Sequence, residues 1–139
     1  MSKKQILTIF STALIVLLAL DLNGQNITIS YDSILLDKGD LSFEGALYSS
    51  SIKGLPIKKI DLTDLRNNDV SDVKLTVVSS IFVPNLQNID APNDFIFGAN
   101  SIAVQGQDRW FFEVIPVRKS TSGIEVITEF SFSYSTIPT

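Results

Sequence analysis

The chain has 139 residues and contains no cysteine and no histidine. Without cysteine there is no disulfide, so an exported fold must hold by its apolar core or by docking to something larger. A lipid anchor on a cysteine is excluded as well. Without histidine there is no imidazole base and no imidazole metal ligand. The two absences together remove Cys–His and Ser–His hydrolysis and nearly all zinc chemistry. The expectation is a non-enzymatic chain with no catalytic residue, no cofactor and no metal centre. The seven glycines are scattered, at 24, 39, 45, 54, 98, 106 and 123, so there is no glycine-rich phosphate loop. Positive charge is also scarce: 11 Lys and Arg face 15 Asp and Glu, for a net charge of −4. Past the N-terminal segment the only adjacent basic pairs before the C-terminus are Lys58–Lys59 and Arg118–Lys119. Nucleic acid and anionic lipid both require clustered Lys and Arg, so neither is an expected partner.

What is present begins with an export pattern. Lys3 and Lys4 precede an apolar run from Ile6 to Leu20, interrupted only by Thr8, Ser11 and Thr12, and Asp21, Asn23 and Gly24 end it. The run is shorter than the about 20 apolar residues that a membrane span needs. Residues 1–24 therefore read as a cleaved signal peptide, and residues 25–139 as one exported domain with no membrane insertion after cleavage. That domain keeps nine basic and fourteen acidic residues, so its charge is 9 − 14 = −5. It is long enough for a core of its own.

Beyond the leader no segment has helical periodicity of useful length. Asn26 to Tyr31 alternates as a strand, Lys38-Gly39-Asp40 is a turn, and Leu41 to Phe43 is a short strand. Glu44 to Gly54 reads as a loop and Leu55 to Leu62 as a strand. Thr63 to Asp72 is a polar turn, and Val73 to Val83 is a β-branched strand. The apolar positions of that strand change parity between Val77 and Val78, which marks a bulge or a strand buried on both faces. Pro84 to Pro92 is a loop, and Phe95 to Val104 a weaker strand closed by a turn at Gly106-Gln107-Asp108. The last third reads as one long hairpin. Trp110 to Lys119 goes out, with Pro116 placing it at an edge or bulge. Ser120 to Gly123 turns, and Ile124, Val126, Thr128, Phe130, Phe132 and Tyr134 return on one face. Glu125, Glu129, Ser131, Ser133 and Ser135 take the other face, and Ile127 breaks the rule. Short strands separated by polar turns predict an all-β fold, an antiparallel β-sandwich.

Few residues suggest chemistry. Asp61, Asp64, Asp69 and Asp72, with Asn67 and Asn68, carry oxygens that calcium uses, but they lack the spacing and mid-loop glycine of a calcium loop. A solvated turn is the simpler account. Asn88, Asp90, Asn93 and Asp94 make a weaker cluster of the same kind. Glu113 with Glu125 or Glu129 would be a glycosidase-like carboxylate pair across the hairpin, and glutamates on a polar strand face explain them more simply. Asn26-Ile27-Thr28 matches the N-glycosylation pattern by coincidence. Trp110, Phe111 and Phe112 cannot all share a face. Trp110 and Phe112 are assigned to the core. A docking surface is placed at Phe111, Ile115 and Ile127.

The stretch from Gln107 to Tyr134, QDRWFFEVIPVRKSTSGIEVITEFSFSY, resembles the N-terminal domain of the type IX secretion sortases of the PorU type, a gingipain-type cysteine peptidase family of Bacteroidetes. The shared features are an apolar strand ending in proline, apolar and basic residues, a glycine-containing turn, and a returning strand with Ser-Phe and Tyr. Leu55-Pro56-Ile57 and the segment from Val73 to Pro84 resemble the same domain. The resemblance implies that this chain is a leading β domain, at the periplasmic or outer-membrane cell surface, and that its partner is a protein or its own downstream peptidase. The complete protein would be a cysteine peptidase that processes the C-terminal signals of cargo. No peptidase residue can be carried over to this chain. Asp32-Ser33-Ile34 matches the short acceptor pattern of O-glycosylation in such bacteria. Two alternatives stand beside this reading. One is a stand-alone exported binding module. The other is an inhibitory propeptide of the gingipain kind, for which Arg66 is the residue presented to a cleft.

Overall fold

The computed structural model describes residues 24–48, 54–62, 65, 68–84 and 89–138. Residues 1–23 of the leader, Arg66 and Asn88 lie outside these residues. The described chain is mostly β, with antiparallel sheets and one short helix. In order the elements are β1 (Ile27–Thr28), α1 (Ser33–Asp37), β2 (Leu47–Tyr48), β3 (Pro56–Leu62), β4 (Asn68–Val83), β5 (Ile96–Val104), β6 (Gln107–Ile115), β7 (Val117–Ser120) and β8 (Gly123–Pro138).

Two four-stranded sheets result. In the first, β8 is central: β4 runs along one side, and β1 and β7 share the other. The second has the order β2-β3-β6-β5. The long hairpin expected in the last third is therefore mostly not formed. Only its tip pairs, from Val117↔Val126 to Ser120↔Gly123. β6 pairs instead with β3 and β5, and the main partner of β8 is β4. The reason lies at Pro116, which has no N–H to give to a ladder. The chain leaves the second sheet there and enters the first as β7. Pro116 is fully buried at this crossing, and its carbonyl accepts the Ile127 N–H at 2.9 Å. It marks neither an edge nor a bulge but a change of sheet.

The working hairpin is β5–β6. Its two-residue turn is Gln105–Gly106, one residue earlier than the sequence suggests. Both residues have positive φ, 52° and 78°, as a tight turn between right-twisting strands requires. At the other end, β4 starts at Asn68, so half of the expected polar turn is strand, paired with the end of β8.

Register explains the exception in the β8 pattern. The β4–β8 ladder shifts between Val77 and Ser79 and again between Ser79 and Ser80, next to Thr128. The first shift falls where β4 changes parity in the sequence. Such an irregularity exchanges the faces of the residues on either side of it. Accordingly Ile124 and Val126 join one core with Leu36, Leu41, Leu55, Val83, Ile115 and Val117. Ile127, Phe130 and Phe132 join the other with Ile29, Phe43, Ile60, Leu62, Phe112 and Val114. All of these are buried. The second core joins the two sheets through stacked rings, Phe112 from β6 lying against Phe130 and Phe132 from β8.

Candidate functional site

Alternation along β3 and β6 sends Ile60, Leu62, Phe112 and Val114 inward. It leaves Lys59, Asp61, Arg109, Phe111 and Glu113 together on the other face. The register places Lys59 opposite Glu113 and Asp61 opposite Phe111, while β5 sets Asn100 on the far side of Phe111. The half-buried Phe111 ring is the centre of this face. Lys59 Nζ lies 4.1 Å from its centroid and the Arg109 guanidinium carbon 5.8 Å. Cations over an aromatic face are drawn by its quadrupole. Each cation has its own anion: Lys59 Nζ is 3.8 Å from Glu113, and Arg109 donates Nε to Asp61 Oδ2 at 3.0 Å and a second, shorter bond to the same oxygen. That bond and the Asp61 charge raise the Arg109 guanidinium further above its already high pKa. Asn100 donates Nδ2 to Glu113 at 3.1 Å. Asp61 Oδ1 is buried without a hydrogen-bond partner in the described fold.

The face thus offers a flat ring, two cations and two carboxylates, all held on sheet strands. It has donors and acceptors for recognition. Among the described residues of this face no nucleophile lies beside a base.

Of the three residues expected at a docking surface, only Phe111 stays partly exposed. Ile115 is 6% exposed in the first core and Ile127 is fully buried in the second. Ile115 is covered because the end of β6 passes under the core lined by α1 and its flanking loop. Ile127 is turned inward by the bulge at Thr128. Trp110 is half-buried and packs against the second core, and Phe112 is fully buried there, as expected. The partners of Phe111 gave only a parity signal: Arg109 stands two residues before it, and Lys59 and Asp61 are spaced alike on β3.

The described acidic residues of the expected turn lie on two different strands. Asp61 sits in β3 with Arg109, while Asp69 and Asp72 stand in β4, Asp72 at positive φ in a register shift. Asp64 and Asn67 lie outside the described residues. Among the described residues no group of acidic side chains is placed to hold a metal ion. Asp90 makes a 3.8 Å ion pair with Lys119 on the surface. Glu113 is on the second sheet, whereas Glu125 and Glu129 are on the first, so no carboxylate pair spans a hairpin. Asp32 accepts the Leu35 N–H at 3.2 Å and so starts α1 at Ser33.

Glu125, expected on a polar surface, is 7% exposed. It accepts Ser80 Oγ at 2.6 Å and Arg118 Nε at 2.6 Å, and Arg118 also covers the Phe95 ring at 4.6 Å. Burial pushes its carboxyl up, but the two hydrogen bonds and the Arg118 charge outweigh this and leave it below its ordinary value. Its role is to tie β4 and β7 to β8.

Comparison with protein-family models, with curated proteins and with solved structures finds no match to this chain.

Proposed function

We propose that the chain is an exported, non-catalytic antiparallel β-sandwich that works by docking to a protein, as the leading domain of a PorU-type secretion sortase. The observation that carries the docking part is the Phe111 ring held between Lys59 and Arg109 on an open sheet face. An aromatic ring with an arginine beside it is the pairing enriched at protein contacts, where aromatic and Arg residues carry most of the binding energy. The sandwich is supported by Phe112 of one sheet stacking on Phe130 and Phe132 of the other. Export is supported by the Lys3 to Gly24 pattern, and the sortase assignment by the resemblance over Gln107 to Tyr134. Neither Cys nor His is present to perform the peptidase chemistry, so the catalytic groups belong to the partner.

The test mixes residues 25–139 with a separately produced peptidase body of such a sortase and measures the complex by titration calorimetry. The expected result is a complex that Phe111→Ala weakens at least about tenfold, or about 1.4 kcal/mol. A folded domain that forms no complex over the accessible concentration range would contradict the sortase reading and leave a stand-alone module.

A further inference from the structure

The two sheets have four edges, and three of them carry features that discourage a further strand. The β2 edge is two residues long. The β1 and β7 edge is short and carries Lys119. The long β4 edge is broken by register shifts and bears Asp69, Asp72 and Lys74. Short strands, bulges and charges are the usual means by which edges avoid pairing. The β5 edge has none of them. Its nine residues, Ile96-Phe-Gly-Ala-Asn-Ser-Ile-Ala-Val104, contain no charge and no proline, and the ladder to β6 runs without a shift. Ile96, Phe97, Ile102 and Val104 are exposed along it.

The direction of the free backbone groups follows from the turn. Residues flanking a two-residue hairpin loop form a hydrogen-bonded pair, here Val104 and Gln107. Alternate residues, Ile102, Asn100, Gly98 and Ile96, therefore spend their N–H and C=O on β6. Phe97, Ala99, Ser101 and Ala103 point theirs outward.

We propose that this edge pairs with the β5 edge of a second copy, antiparallel about a two-fold axis at Asn100. In that register Phe97 meets Ala103, Ala99 meets Ser101, and every outward N–H and C=O between Phe97 and Ala103 finds a partner. On the face shared with Phe111, Ile96 meets Val104, Gly98 meets Ile102 and Asn100 meets its own copy. In two of these pairs a large residue stands opposite a small one, Ile102 over Gly98, where a Cβ would have nothing within 4 Å, and Phe97 opposite Ala103; Ile96 with Val104 is an apolar pair of two large residues. Just outside, Asp94 meets Gly106, so no like charges oppose. The contact is isologous and closes at two copies. It would join the two Phe111 faces into one surface.

The absence of native cysteine makes the register directly testable. Asn100→Cys puts two thiols on the axis in a non-hydrogen-bonded pair, with Cα atoms about 4.5 Å apart, inside the range a disulfide spans. Ile102→Cys faces Gly98 of the partner and has no thiol to meet. Under mild oxidation of residues 25–139 the first variant is expected to give a cross-linked dimer and the second none. Ser101→Pro removes an outward N–H that β6 does not use, and is expected to convert a species of twice the monomer mass into monomer by light scattering. Cross-linking by Ile102→Cys alone, open-ended aggregates, or a wild type that sediments as monomer at every concentration would overturn the proposal. A variant that melts early leaves the decision to the Asn100→Cys cross-link, whose absence would also overturn it.

Discussion

The ring of Phe112 lies flat on that of Phe132, with centroids 4.1 Å apart and planes 6° from parallel. One residue is on β6 and the other on β8, so this stack joins the two sheets. Phe130 completes it at 6.0 Å from Phe112. Because Phe130 has no exposed surface, Phe130→Ala is expected to cost about 3–5 kcal/mol. That is a large part of the about 5–15 kcal/mol that holds a small domain. Glu129→Ala, next in the chain but on the other face, is expected to stay within about ±0.5 kcal/mol. Urea melts of the two variants compare them. Equal, small losses would mean that β8 is not in this register.

Glu125 sets an acid limit. Its carboxyl lies below the ordinary value of 4.5 in the folded chain, so the folded state favours the ionised form. The stabilisation is fully present above pH 4.5 and is lost as pH falls through the lower folded value. Glu125→Gln is expected to flatten the acid limb of a stability curve measured between neutral pH and that range. An unchanged acid limb would remove Glu125 from the account. Arg118→Ala, which leaves the buried carboxylate with Ser80 alone, is expected to cost about 1–3 kcal/mol at neutral pH.

Gly123 opens β8 with φ at +127°, and a Cβ there would meet the Pro84 Cα and the Val83 carbonyl oxygen at 3.0 Å. Strain and contact act together, so Gly123→Ala is expected to destabilise by about 1–3 kcal/mol. Thermal melts against the parent chain measure it. A neutral substitution would place the β7–β8 turn differently.

The strands were legible because alternation needs only neighbours in sequence. Their partners were not. The run from Trp110 to Lys119 and the run from Ile124 to Tyr134 looked like one hairpin because a Gly-containing turn lies between them. Alternation, however, cannot distinguish a strand that folds back on its neighbour from one that changes sheet at a buried Pro116. The parity break at Val77–Val78 was readable, but the matching break at Thr128 was masked by Ile127, whose burial depends on the shifted ladder. Phe111 could be separated from Phe112 by parity. Its ion pairs could not be read, since Arg109 and Asp61 are 48 residues apart. Nor could the burial of Glu125, whose partner Ser80 is 45 residues away.

Consecutive rings have opposite duties: Phe112 holds the sheets together, and Phe111 is the ring proposed to meet a partner. Alanine substitution at each, followed by both a urea melt and titration with the peptidase body, separates the two duties. Phe112→Ala is expected to lose about 3–5 kcal/mol of stability, while Phe111→Ala keeps its midpoint nearly unchanged and loses the complex. A Phe111→Ala chain that binds as tightly as the parent would contradict it.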